Sequence, residues 1–260
     1  MNILDRIVAY KKLEVEAHKA AIPLEVLQRF EYYNRTVQSM SEALSNSESG
    51  IIAEHKRRSP SKSVINEKSD LPDVIQGYQQ AGISAISVLT DTRFFGGSIT
   101  DLLLARSYSQ IPLLRKEFMI DPYQVHEAKA HGADAILLIA AILDKQEVIE
   151  LSDLASSLGL EVLLEVHNQQ ELIGQDFSHV QMVGVNNRDL KTFQVNLDNS
   201  RNLSALIPDD VVKISESGLS QPESIGDLRG YGYKGFLMGE SFMKQADPGL
   251  AAAEFIKELG

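Results

Sequence analysis

The segment AILLIAAILDKQEVIELSDLASSLGLEVLLEVH, residues 135–167, contains one structural unit from end to end. AILLIA (135–140) and EVLLEV (161–166) are short apolar runs of strand length. Between them, DKQEVIELSDLASSLG carries helix punctuation. Asp144 with Glu147 three residues on is a capping box, and Gly159 supplies the stop. Two strands joined through a helix pair in parallel.

The same alternation extends in both directions. IIAEHK (51–56), AISVLTD (85–91) and PLLRKEF (112–118) precede the unit; MVGVN (182–186), VVKISES (211–217) and GFLMGE (235–240) follow it. The eight runs begin 21–34 residues apart, the length of one strand-loop-helix repeat. Intervening stretches carry helix signals. Asp121 is an N-cap before Pro122, with Gly132 as the stop; Ser220 and Glu223 stand in capping-box register. DLPDVIQGYQQAG and ITDLLLARSYSQ are amphipathic. Eight repeats predict an α/β chain folded as a single (β/α)8 (TIM) barrel. A doubly wound open sheet is the rival. No G-x-G-x-x-G or G-x-x-x-x-G-K-[ST] loop follows any run, which favours the barrel.

Residues 2–45 differ. Ile3, Leu4, Ile7 and Val8, then Leu24, Leu27 and Phe30, recur at helical spacing, and SNSESG (45–50) is a polar break. The expected organisation is one domain over 1–260, with an N-terminal helical extension (1–47) and a barrel (51–260).

Composition narrows the function classes. The chain has 260 residues, 43% hydrophobic and 23% charged, with a net charge of -11. Such a surface disfavours nucleic acid and anionic membranes. The absence of Cys rules out disulfides, thiolate metal sites and a Cys nucleophile. No window approaches 18 apolar residues, and the opening lacks a signal-peptide core, so a cytoplasmic protein is expected. The six histidines form no H-x-x-x-H pair, so no metal site is expected; His167, at the end of the fifth run, is the one to watch.

In a barrel, chemistry sits where strands end. Side chains alternate with period two, so Glu54 and Lys56 share a face with Ile52. By the same parity Lys116 falls with Leu114 and Phe118, Glu165 with Leu163, Asn186 and Arg188 with Gly184, and Glu216 with Ile214. Each run is apolar or small early and polar late. A charged strand end is ordinarily just solvated, but here the pattern recurs in five strands. If those faces point inward, the mouth gathers Glu54, Lys56, Lys116, Glu165, Asn186, Arg188 and Glu216, which neutralise one another and shift one another's pKa values. Arg57, Arg115 and Glu117, of opposite parity, face helices or solvent. Ser217-Gly218 after the seventh run and Gly239-Glu240 after the eighth lie where barrels bind phosphate. Ser59, Ser61 and Lys62, after the first run, can reach an anion too. Phe95, Phe118 and Leu137 make an apolar wall or belong to ordinary core.

These motifs together resemble the indole-3-glycerol phosphate synthase family. IIAEHKRRSPSKSVI, SVLTDTRFFGGS, PLLRKEFMIDPYQ, GADAILLIAAIL, LLEVH, GVNNRDLKTF, ISESGL and FLMGESFM follow in that family's order, over nearly the whole chain. The resemblance implies ring closure, decarboxylation and dehydration of 1-(2-carboxyphenylamino)-1-deoxyribulose 5-phosphate, without metal or organic cofactor. It implies Lys116 as general acid, Glu165 as general base, and Lys56 as carboxylate ligand or proton-transfer partner. Glu54 and Asn186 position these groups, and Arg188 and Glu216 complete the polar mouth. Ser217, Gly218, Gly239 and Glu240 hold the phosphate, and Phe95, Phe118 and Leu137 line an anthranilate slot. The phosphorylated small molecule is the expected partner. A monomer is expected, with at most weak association with other tryptophan-pathway enzymes. The chain departs from the family pattern at His55 (usually aliphatic), Arg58 (usually small) and Ser63 (usually Gly); the last bears on loop kinetics. Another phosphosugar barrel stays open, either a Schiff-base aldolase or one like phosphoribosylanthranilate isomerase, although that isomerase relies on a Cys. So does a non-catalytic phosphometabolite-binding protein.

Overall fold

Eight parallel strands close on themselves in chain order: β1 (Ile51–His55), β2 (Ala85–Leu89), β3 (Leu113–Lys116), β4 (Ala135–Ile139), β5 (Glu161–Val166), β6 (Met182–Asn186), β7 (Val212–Glu216) and β8 (Tyr233–Met238), which pairs back onto β1. This is the expected (β/α)8 barrel. The computed structural model describes residues 3–60, 62–189 and 192–259. The helices in chain order are α1 (Ile3–Ala21), α2 (Leu24–Leu27), α3 (Met40–Ser45), α4 (Leu71–Gln80), α5 (Thr92–Phe95), α6 (Ile99–Tyr108), α7 (Pro122–Ala130), α8 (Lys145–Ser157), α9 (Gln169–Leu172), α10 (Asp198–Leu203), α11 (Pro222–Arg229), α12 (Glu240–Met243) and α13 (Pro248–Glu258). None is long and apolar enough to cross a membrane.

The strand runs are nearly continuous in apolar residues because both faces are buried. Ala53, Val88, Leu113, Ile136, Leu138, Leu164 and Val183 pack in the layer between barrel and helices. Residues of the other parity, Ile52, Ala85, Leu114, Leu137, Leu163, Met182, Ile214 and Leu237, form a second cluster inside the barrel. Buried apolar surface stabilises by about 25 cal/mol per Å², so each layer contributes strongly.

The N-terminal helices seal both ends of that inner cluster. Met40 and Leu44 of α3 join its floor. Glu161, the first residue of β5, fixes α3 there by accepting from the Met40 and Ser41 amides at 2.7 and 2.8 Å. At the other end Ile7 of α1 packs on the cluster, with Ile3 and Leu4 beside it.

Helix punctuation follows the expected chemistry with one exception. Asp121 accepts from Tyr123 N at 2.9 Å, and Asp144 and Glu147 form the complete capping box. Ser220 caps nothing: Gln221 is at the N-cap of α11 and no side chain caps it. Pro222 sets φ and lacks an N–H, so the first turn starts there and moves Ser220 out of register. The eighth strand also starts two residues before the expected run. Tyr233 is buried and donates to Ser200 O at 2.7 Å, and an irregularity in the β7–β8 pairing leaves Lys234 exposed. The strand ends at Met238, so Gly239 and Glu240 belong to the following loop and α12.

Candidate active site

Parity carries each strand's last inward residues to the C-terminal mouth. There Glu54, Lys56, Ser59, Phe95, Lys116, Phe118, Leu137, Glu165, Asn186, Arg188, Glu216, Ser217, Gly218, Gly239 and Glu240 line one cavity. Ser61 lies outside the described residues. The opposite-parity residues turn away as expected. Arg57 makes a two-pronged pair with Asp101 of α6 at 2.5 and 3.0 Å, and Arg115 bonds Glu127 of α7 at 2.6 Å.

At the centre stands Lys116. Its Nζ is 3.1 Å from Glu165 Oε2 and makes a short contact with Glu216 Oε2. One ammonium thus serves two carboxylates, and the two are not equivalent. Burial disfavours charge on both. For Glu165, Lys116 together with His167 and Asn186, whose Nδ2 donates to Oε1 at 3.1 Å, overcomes burial and holds the carboxyl below its ordinary range. Glu216 has fewer supporters: its Oε1 is buried without a hydrogen-bond partner among the described residues. Burial therefore wins and pushes this carboxyl up to about 7, Lys116 notwithstanding. Burial alone would lower Lys116, but Glu216, Glu165 and Glu54 outweigh it and keep the amine protonated.

Glycines make the space for these carboxylates. A Cβ on Gly184 would lie 2.2 Å from Glu216 Oε1, and one on Gly239 2.7 Å from Glu54 Oε1. Glu54 in turn holds Lys56, with Nζ to Oε1 at 2.6 Å.

One flank of this polar cluster is apolar. The rings of Phe95 and Phe118 stand 5.8 Å apart, and Phe118 and Leu137 are buried in the inner cluster. The other flank is built from backbone. Ser217 and Gly218 have φ of +69° and +77°. A serine in that region is uncommon, and such strain concentrates at ligand clamps. Beside it Gly239 leads into α12, and Ser241 Oγ ties α12 to the neighbouring loop by donating to Leu219 O at 2.9 Å. Lys62 spans from the first loop to Glu240, Nζ to Oε1 at 2.9 Å, and that bond holds the Glu240 carboxyl below its ordinary range. Lys62 thereby offsets the Glu240 charge at the end of the cavity that is expected to receive phosphate.

Several contributors were not singled out from the residues. Ile3, Leu4 and Ile7 roof the cavity; their helical stripe was legible, their partner was not. Lys11, fully buried in α1, pairs at 3.0 Å with both Asp91 and Glu117. Asp91 caps α5, which carries Phe94 and Phe95, and Glu117 accepts from Phe118 N at 2.8 Å, so Lys11 supports the aromatic wall from behind. Asn187 joins two loops, donating to Ser215 Oγ, Glu216 O and Ser217 O. His167, by contrast, is the histidine the sequence marks out, and it stands beside Glu165, its Nε2 3.2 Å from Oε1.

Comparison with known proteins agrees with this geometry. The family model described as indole-3-glycerol phosphate synthase matches residues 4–258. A protein of that name from Bacteroides thetaiotaomicron is 46% identical over 258 residues, covering 99% of each chain. Another from Salinibacter ruber is 42% identical, covering 99% of this chain and 96% of that one. Among solved structures, 3-hexulose-6-phosphate synthase from Salmonella typhimurium superposes with a TM-score of 0.64 at 12% identity, over 81% of this chain and 98% of that one. A chain of the tryptophan synthase complex from Pyrococcus furiosus gives 0.59 at 14% identity, over 81% and 97%. These two share the fold. With a matching family model across nearly its whole length and relatives above 40% identity, the chain belongs to the indole-3-glycerol phosphate synthase family.

Proposed function

We propose that this mouth closes the indole ring of 1-(2-carboxyphenylamino)-1-deoxyribulose 5-phosphate with the following division of labour. The observation that carries it is Lys116, held between Glu165 and Glu216 beside an aromatic slot, with the left-handed Ser217-Gly218 turn at the far end. The phosphate sits against Ser217, Gly218, Gly239 and Glu240, largely through backbone N–H groups, with Ser59 and Arg188 at the rim. The anthranilate ring lies against Phe95, Phe118 and Leu137. Clamping both ends brings the ring carbon that bears the carboxylate to the ribulose ketone, and such orientation removes several kcal/mol of barrier.

As that carbon attacks, the carbonyl oxygen gains charge and takes the proton of Lys116. Loss of CO2 returns its bonding pair to the ring and restores aromaticity. Water then leaves: an acid protonates the new hydroxyl while Glu165 removes a proton from the adjacent methylene carbon. One solvent proton recharges Lys116, and the proton taken by Glu165 returns to the acid, so atoms and charge balance. Lys56, braced by Glu54, either receives the substrate carboxylate or shares the proton transfers; Asn186 and Glu216 position Glu165 and Lys116.

Fluorescence detection of indole-3-glycerol phosphate tests the assignment. Lys116→Ala is expected to lose at least about 100-fold in kcat while remaining folded, the range of general acid catalysis. A loss of only a few-fold removes Lys116 as the acid. We further propose a cytoplasmic monomer, associating at most weakly with other enzymes of the tryptophan pathway; sedimentation velocity tests the monomer.

A further inference from the structure

Lys116 and Glu165 face a conflict of timing. Glu165 is buried, and Lys116 supports its charge. Once Lys116 gives its proton to the substrate, that support is gone, yet Glu165 must stay ionised to act as a base. A second cation is needed that does not react.

His167 has the right place. It follows β5 on the same parity as Glu165 and its side chain is 8% exposed. Nε2 lies 3.2 Å from Glu165 Oε1, within ion-pair reach although off the hydrogen-bond line. Nδ1 lies 3.2 Å from Glu171 Oε2 of α9, which also accepts from the His167 backbone N at 2.7 Å. The other Glu171 oxygen accepts from Asn168 Nδ2 at 2.7 Å. Asn199 Nδ2 donates to both His167 O and Asn186 O, at 3.0 and 2.8 Å. The ring is thus fixed at its backbone and at Nδ1, which leaves Nε2 facing Glu165.

We propose that His167 is a positioning residue for the dehydration step: its imidazolium, anchored by Glu171, keeps Glu165 ionised and aimed while Lys116 is discharged. This rests on Glu165 being the base. Burial opposes charge on the ring, but Glu165 and Glu171 overcome it and raise its pKa to about 10. Lys116 from β3 and Glu216 from β7 face the pair across the cavity, with Glu54 and Lys56 from β1 and Arg188 after β6 lining the same space. Lys116 cannot substitute for His167 at this stage, because its proton has gone to the substrate. The arrangement also distinguishes the two oxygens. Oε1 is occupied by His167 and Asn186, while Oε2 meets Lys116 alone among these, so Oε2 is the oxygen that takes the substrate proton.

The test is the pH profile of kcat, which reads the substrate-bound enzyme, for wild type, His167→Gln and His167→Lys, with Glu165→Gln beside them. An opposite charge at this distance shifts a carboxyl by about 1–3 units. The acidic limb is expected to move up by that amount in His167→Gln and to stay low in His167→Lys. An unmoved limb in His167→Gln, or an equal move in both variants, overturns the proposal. Glu165→Gln separates the two levels: an inactive enzyme with an unmoved His167→Gln limb removes only His167, whereas an active Glu165→Gln removes the base itself. Should the variants not fold, 15N NMR of wild type decides: His167 is expected with both ring nitrogens protonated at pH 8, and a neutral ring there overturns the proposal.

Discussion

Replacing Gly184 by Ala inserts a single methyl into the barrel interior between Met182 and Asn186. That methyl lands 2.2 Å from Glu216 Oε1 and 3.2 Å from Leu163 Cδ1. Ordinary contact begins near 3.4 Å, so the carboxylate has to retreat by 3.4 − 2.2, or about 1.2 Å. Its partner Lys116 follows or loses the bond. A misplacement of about 1 Å near the chemistry costs on the order of 100-fold in rate. Overpacking costs about 1–3 kcal/mol of stability, and each kcal/mol lowers Tm by about 2–4 °C in a chain of this size. Indole-3-glycerol phosphate fluorescence and thermal unfolding measure the two effects. Gly184→Ala in a Glu216→Ala background is the control, because the clash partner is gone and the methyl should cost little stability there. Wild-type kcat and Tm in the single variant, or an equal stability loss in both backgrounds, would refute the idea that Gly184 exists to seat Glu216.

Three further outcomes are expected. Lys56→Ala should raise KM with little change in kcat if Lys56 binds the substrate carboxylate, and lower kcat if it transfers protons; steady-state kinetics separates the two, and no change in either excludes both roles. Lys11→Met strands Asp91 and Glu117 without their buried cation, so urea unfolding should show a loss of about 3–5 kcal/mol; a change under 1 kcal/mol would mean that the pair contributes nothing net. His55 is neutral in the fold because burial, then Arg57, pushes its pKa down to about 4. The unfolded chain protonates it near 6.5, so its contribution is full above that pH and lost as pH falls toward 4; His55→Leu should flatten that slope of stability against pH, and parallel slopes would show that His55 does not titrate on unfolding.

The architecture was legible because a parallel barrel writes both its periods into the chain: strands of continuous apolar residues and helices with caps. Parity then carried the reading to the mouth. Glu54-x-Lys56, Asn186-x-Arg188 and the inward ends of β3, β5 and β7 meet in one cavity because alternation along a strand is strict. Long-range pairings were not legible. Nothing around Lys11 or His18 tells which distant carboxylates they meet, since Glu117 and Glu127 lie over a hundred positions away. His167 stood out as the one histidine at a strand end, but its role was not legible, because Glu171 becomes its partner only when α9 turns back. Gly184 read as a small strand residue, since the demand for space comes from Glu216 on the neighbouring strand.

The placement of α1 and α3 has a consequence for how the molecule is assembled. Residues 3–45 leave the ribosome before any strand, yet α3 packs against β7 and β8, late in the chain, and its Met40 and Leu44 join the cluster that holds Ile214 and Leu237. Loop-closure entropy makes such distant contacts the slowest to form. A helix made before the strands is therefore among the last elements to settle, and its docking requires a ring that has already closed. Amide protection in α3 during refolding should rise in step with that of β7 and β8, which makes this short helix a clock for barrel closure.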